Sequence, residues 1–204
     1  MKMSMLRPYL LKSMNTLVCV LRGKGSLIEL GKRVRIGRGC EVKIDKNASV
    51  KFADDVKLRS GCILQITKGA QLELSERVEL RNYAIIECGG KVRIGKRSVI
   101  GAYNWLQGSG EIEIGDDVII GPGVRIISTT HDVRDPDLVF GAQPLINKSV
   151  HIGSNVWIGA NVIILAGVTI GSDVVIGAGA LVTRDLEGGG VYVGQPARYL
   201  KAVR

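Results

Sequence analysis

From Val150 onward the chain reads "VHIGSN VWIGAN VIILAG VTIGSD VVIGAG ALVTRD". Ile152, Ile158, Ile164, Ile170, Ile176 and Val182 recur every six residues without a slip. The residue two before each is also aliphatic or small: Val150, Val156, Val162, Val168, Val174 and Ala180. A helix turns once in about 3.6 residues, so a period of six does not present one helical face. Two inward side chains at alternate positions fit a very short strand. The glycine or asparagine that follows tolerates the backbone of a sharp corner. Six residues therefore make one strand and one corner. Successive coils must stack in parallel, each burying its core against its neighbours. This is an all-β, triangular solenoid, and its period excludes tetratricopeptide, ankyrin and leucine-rich arrays.

The upstream half keeps the pattern with one irregularity. Leu74, Leu80, Ile86, Ile94, Ile100, Leu106, Ile114, Ile120 and Ile126 step by 6, 6, 8, 6, 6, 8, 6 and 6. One corner in three is longer. Before Leu74, "RVRIGRGCEVKIDKNASVKF" alternates but its coils are not assignable. Between Ile126 and Val150 the rhythm stops, and His131 stands where it stops. Because the coil resumes cleanly at Val150, residues 127–149 read as a projecting loop on a continuous solenoid.

Charge divides the chain of 204 residues. Residues 1–97 hold 21 Lys+Arg against 9 Asp+Glu, and residues 98–204 hold 7 against 10. A basic half attracts nucleic acid, anionic lipid or an anionic substrate, or is simply a solvated face. Nucleic acid is disfavoured, because the basic strands carry no reader motif. Cys19, Cys40, Cys62 and Cys88 form no C-x-x-C pair and read as core thiols of a reducing compartment. Residues 1–25 read as a short helical segment, since Leu6, Leu10, Leu17, Val18 and Leu21 can share one face. Such a helix either covers the open end of the solenoid or lies on a membrane surface. Its longest apolar run, Leu17 to Leu21, is too short to span a bilayer, and no signal peptide is expected. Residues 26–204 form the β-helix domain, with a tail over 188–204.

The stretch "IGSNVWIGANVIILAGVTIGSDVVIGAGALVTRDL", followed by "VGQPARYL", resembles the carboxyl half of the hexapeptide-repeat O-acetyltransferases. Residues 90–200 carry the resemblance, and the repeat extends it to about residue 30. It implies a left-handed parallel β-helix, a homotrimer, and acetyl-CoA or another acyl-CoA as donor. The repeat is shared with carbonic anhydrases, nucleotide-sugar enzymes and non-enzymatic subunits. With two histidines the chain cannot supply the three-histidine zinc site of those carbonic anhydrases, so no metal is expected.

Acyl transfer to a hydroxyl needs a base for the proton, and a neutral imidazole suits that task. The family places a histidine just before such a loop, and "STTHD" puts His131 there. Asp132, Asp135 or a backbone carbonyl are the candidates to orient the ring. His151 lies between inward Val150 and Ile152 and reads as surface. Asn104, in "GAYNWLQG", matches a family asparagine that contacts acceptor or intermediate. Its position two before Leu106 is inward, which instead suggests a buried corner amide.

The donor site is implied by position in the family. Trp157 would line the groove near the pantetheine arm, with Ala160 and Ala178 as narrow positions beside it. Thr183 and Arg184 would lie near the nucleotide. Arg198 and Lys201 would reach a CoA phosphate. Repeat packing explains Ala160, Ala178 and Thr183 equally well.

The sequence thus implies an acetyl-CoA-dependent O-acetyltransferase of a carbohydrate hydroxyl in surface polysaccharide or glycolipid biosynthesis. Its expected location is cytoplasmic, at the inner face of the membrane if the basic amino segment binds lipid. The alternatives are a non-catalytic β-helix scaffold subunit and an acetyltransferase of an antibiotic or free small sugar. Serine acetylation is disfavoured, because no long helical amino domain is seen.

Overall fold

The computed structural model describes residues 9–13 and 16–203, with side chains from residue 23 onward. These residues wind as a left-handed parallel β-helix with three flat faces. The first face stacks Thr16–Arg22, Glu41–Ile44, Ile63–Ile66, Ile85–Cys88, Trp105–Gly108, Arg125–Ile127, Ile163–Ile164 and Leu181–Val182. The second runs from Leu27–Leu30 to Thr169–Ile170, and the third from Arg35–Ile36 to Gly190–Val193. Inward residues stand in register: Val42, Leu64, Ile86, Leu106, Ile126, Ile164 and Val182 form one buried column. Each such aliphatic side chain contributes about 1.5–3 kcal/mol by leaving water. All six residues of the carboxyl repeat, Ile152 to Val182, are buried.

The register left open by the sequence resolves at one corner. From the first face to the second the step is ten residues at Val42–Phe52 and Leu64–Leu74, then eight at Ile86–Ile94 and Leu106–Ile114. It is six at Ile164–Ile170, and after Val182 the chain turns once more to bring Leu186 beside Ile170. The step from Ile126 to Ile152 is twenty-six, so the loop is inserted at this same corner. The other two corners keep a step of six throughout, as in Phe52–Leu58–Leu64 and Ile152–Ile158–Ile164.

The fixed corner between the second and third faces is a column of left-handed residues. Arg33, Asp55, Arg77, Arg97, Asp117, Asn155 and Asp173 all have φ between 54° and 60°. From Asp55 onward their N–H groups bond to the preceding coil, as Asp117 N to Lys96 O at 2.9 Å, which offsets the strain. Arg33 pairs with Asp55 at 2.6 Å, and the Asn155 amide donates to Asp173 at 2.6 Å. Close stacking also explains the recurring glycine here: a Cβ on Gly115 would lie 2.7 Å from the backbone of Gly153.

The expected amino-terminal helix is corrected where the chain is described. Tyr9–Ser13 and Thr16–Arg22 are antiparallel strands, and Thr16–Arg22 pairs in parallel with Glu41–Ile44. The open edge of a coil offers unpaired backbone groups that a strand satisfies and a helix does not. Thr16, Val18 and Val20 are β-branched and favour that choice. Residues 1–8 and 14–15 of the expected helix lie outside the described residues. No helix among the described residues is long and apolar enough to cross a membrane. At the other end Gly190–Val193 pairs with Val175–Ile176, and Arg198–Ala202 folds back on it antiparallel.

Candidate active site

The loop leaves the coil through a tied neck. Ser128 is buried; its hydroxyl donates to Gln107 O at 3.0 Å and accepts from Gly110 N at 2.9 Å. Lys148 N donates to Ser128 O at 2.9 Å and closes the neck. Beyond it Thr129–His131 and Leu145–Asn147 form a two-stranded antiparallel ribbon that leaves the solenoid. The tip carries a 3-10 turn, Phe140–Ala142, and exposes Val133, Leu138, Val139, Phe140 and Leu145.

His131 ends the first strand of the ribbon and is exposed. Its Nδ1 lies 3.4 Å from Gln143 O. A proton on Nδ1 directed at that carbonyl leaves Nε2 as the free acceptor. Gln143 is buried beneath the tip, and its amide donates to Asp135 O and to Leu138 O at 3.2 Å. One residue thus pins the loop tip and orients the histidine ring. Sequence reasoning missed it, because a lone glutamine in "GAQPL" carries no periodic or motif signal.

The carboxylate candidates are otherwise engaged. Asp132 is paired with Arg134, which holds its carboxyl down at about 2. Asp135 accepts from Asp137 N at 3.0 Å. The backbone carbonyl, the third option, is the group beside the ring. His151 faces outward on the second face, with Nδ1 3.4 Å from Glu113 Oε2.

Asn104 is fully buried, and its Oδ1 accepts from Val124 N at 2.7 Å. Its Nδ2 is buried without a partner. The side chain ties one coil to the next, as the buried corner amide of the two readings does. The inward position follows from its place in the repeat, two before Leu106.

The donor candidates gather near the carboxyl coils. Trp157 is exposed on the third face, in register with Ile119 and Val175. It lines a groove of about 460 Å³ with Asp117, Asn155, Asp173, Gly189 and Val203. Ala160 and Ala178 occupy the corner between the third and first faces, and Gly179 N donates to Ala160 O at 2.8 Å. The tail is tied to that corner: Gln195 Nε2 donates to Gly179 O at 2.6 Å and Ala197 N to Leu181 O at 2.7 Å. This brings Arg198 beside it, exposed and bonded to Ala197 O. Thr183 and Arg184 are exposed at the far end of the first face. The loop corner and the Ala160–Ala178 corner therefore lie at opposite edges of the first face.

Residues 149–184 match the family model for bacterial transferase hexapeptide repeats, six in number. The fold is similar to that of the polySia-specific acetyltransferase NeuO, with a TM-score of 0.77 and 25% identity, over 97% of this chain and 85% of that one. A hexapeptide-repeat-containing acetyltransferase from Vibrio cholerae O1 biovar eltor, complexed with acetyl coenzyme A, is 31% identical over 63% of this chain and 69% of its own, with a TM-score of 0.59. A mutant of AntD, an N-acyltransferase from Bacillus cereus in complex with dTDP and coenzyme A, is 26% identical over 85% of this chain and 86% of its own, with a TM-score of 0.57.

Proposed function

The chain belongs to the hexapeptide-repeat acyltransferases, and from that membership we propose that it is an O-acetyltransferase of a carbohydrate hydroxyl. Acetyl-CoA is the donor, and the pathway is surface polysaccharide or glycolipid assembly. The observation that carries the reading is the exposed His131, held with Nδ1 toward Gln143 O and Nε2 free. Nε2 takes the proton of the acceptor hydroxyl as the oxygen bonds to the acyl carbon. It returns that proton to the departing thiolate, so proton and leaving group balance. The donor supplies an activated thioester.

The residues present fit such a donor. Ala160 and Ala178 leave the corner narrow, so a thin neutral arm can lie along the coils. Asp117 and Asp173 line the Trp157 groove and would repel a phosphate, so that groove suits the uncharged part of the arm. Arg184, Arg198 and Lys201 are exposed cations suited to the phosphates, and Thr183 adds a hydroxyl beside them.

A homotrimer completes the site. His131 and the Ala160–Ala178 corner sit at opposite edges of one face, and the loop tip exposes apolar side chains. Both features favour a loop that reaches a neighbour's donor corner. The acceptor is a glycan near the cytoplasmic membrane face, where the basic amino half attracts anionic lipid.

Release of free thiol from acetyl-CoA, measured over a panel of sugar acceptors, tests the reaction. His131→Ala should lower kcat by about 10²–10⁴ with coenzyme binding retained. His151→Ala should leave kcat unchanged. Equal activity of wild type and His131→Ala would reject the role of His131. A trimer mass in solution, and recovery of activity on mixing His131→Ala with Ala178→Trp subunits, tests the shared site. Flotation with anionic liposomes tests the membrane contact.

A further inference from the structure

The corner between the third and first faces holds one left-handed position per coil: Gly39, Gly61, Tyr83, Tyr103, Gly123, Asn161 and Gly179. Glycine and asparagine suit that conformation. A bulky aromatic does not, and here two adjacent coils carry tyrosines at φ 60° and 59°. The core does not require them, since Tyr83 is 50% and Tyr103 66% exposed. Their rings stack with centroids 5.2 Å apart and planes 15° from parallel. Tyr83 in turn fills the space beside Gly61, where a Cβ would lie 2.4 Å from the ring. The result is a fixed aromatic ledge facing solvent.

Cations flank it. Arg59 and Arg81 stand on this corner in neighbouring coils, and both are exposed. Both reach a single carboxylate, Glu79, at 2.7 and 3.2 Å, so the cluster keeps a net positive charge. Arg38 lies one coil further on the same corner. The corner triplets read GRG, RSG, RNY, GAY and GPG from residue 37 to residue 123, without an acidic residue. The matching corner on the other side of the third face mixes Asp54, Asp55, Glu76, Asp116 and Asp117 with Lys32, Arg33, Arg77, Lys96 and Arg97, so its charges cancel.

We propose that Tyr83, Tyr103, Arg59 and Arg81 form a subsite for a carboxylate-bearing glycan chain. Sugar rings present C–H faces that pack on an aromatic plane, and guanidinium groups pair with carboxylates. The subsite lies on coils that precede the loop and the donor corner, so it engages acceptor residues remote from the acetylated one. It rests on the carbohydrate reading above and adds the acidic, polymeric character of the acceptor.

Native electrophoresis through gels containing polysialate, hyaluronan or polygalacturonate tests it without catalysis. Gels with neutral dextran or single-stranded DNA are the comparisons. The wild type should be retarded by at least one acidic glycan more than by dextran or DNA. Tyr83→Gly/Tyr103→Gly should weaken that binding roughly ten-fold with an unchanged or raised Tm, since glycine is the common residue at this corner. Tyr103→Asn, which copies the residue type that Asn161 supplies at the same corner, provides a second folded variant with the same expected loss. Equal retardation of wild type and both tyrosine variants would overturn the proposal, as would retardation by none of the acidic glycans or tighter binding of DNA. Each of these leaves the His131 thiol-release assay untouched, so the two readings fail separately.

Discussion

The second face is bounded by two corners that obey different rules. The corner entering it changes length from coil to coil, by ten, eight and six residues, and carries the catalytic candidate loop. The corner leaving it never changes length and is locked by left-handed residues bonded coil to coil. Solenoid stacking constrains only the inward residues and the strand hydrogen bonds. The corner entering the second face also bonds coil to coil, as Asn47 N to Lys24 O at 3.2 Å and Gly69 N to Lys46 O at 3.1 Å, yet its turn changes length, and that variation gives a smooth prism a pocket-forming projection. The corner leaving it repeats one left-handed turn of the same length in every described coil from Arg33 to Asp173, and an insertion there would break that column.

The sharpest way to break this contrast is to exchange the corners' properties. Replacing residues 129–147 with a two-residue Asn-Gly link should abolish acetyl transfer while the stack stays folded. The neck is already closed by Lys148 N on Ser128 O. Circular dichroism and thiol release on one sample check both halves. Two residues inserted after Lys96, in the fixed corner, should instead lower Tm, because Arg97 and its column would lose register. A variable corner that unfolds when shortened, or a fixed corner that accepts insertion, would end the distinction.

Asn104→Ala is the next effect in size. It leaves Val124 N buried without its acceptor, which costs about 1–3 kcal/mol in denaturant unfolding. Both kcat and KM should hold in the folded fraction. A fall in kcat at unchanged stability would place Asn104 in the catalytic site.

Smaller still is Arg97→Ala. Asp117 is held below the usual carboxylate range by its hydrogen bond from Arg97, but both groups are exposed. Water and salt screen such a pair, so the Tm change should be slight and should vanish at high salt.

The smallest effect belongs to the loop. Asp132 is held at about 2 by Arg134, so the carboxyl binds its proton less readily folded than unfolded. Its contribution is complete above the unfolded value of about 3.9 and is lost as pH falls through about 2. Asp132→Asn should therefore leave the activity profile unchanged from pH 5 to 9. A shifted profile would make Asp132, rather than Gln143 O, the partner of His131.

The inward columns were legible because burial imposes a period. Ile152 to Val182 are core residues for the reason that makes them visible in the sequence. The ten-residue corners were not, since "DKNA" (45–48) sits outside the strands and outside the six-residue rhythm, although GKGS at 23 and TKGA at 67 repeat its lysine. The amino-terminal strands were hidden because Leu and Val in Thr16–Arg22 suit either conformation locally, and the adjoining coil edge decides. Where His131 sits was readable from the broken rhythm, and its exposure agrees. What orients it was not readable, for Gln143 acts through its backbone carbonyl, and every residue has one. The tyrosine ledge was equally silent, because only the backbone angle distinguishes Tyr83 and Tyr103 from any exposed aromatic.

The outermost described strands run against their neighbours: Tyr9–Ser13 against Thr16–Arg22, and Arg198–Ala202 against Gly190–Val193. A stack of identical rungs is otherwise a template for its own extension, since any coil of the same spacing could dock on its last edge. A reversed rung presents the wrong polarity for a parallel newcomer. The molecule thereby carries the architecture of a fibre together with the stops that keep it from growing into one.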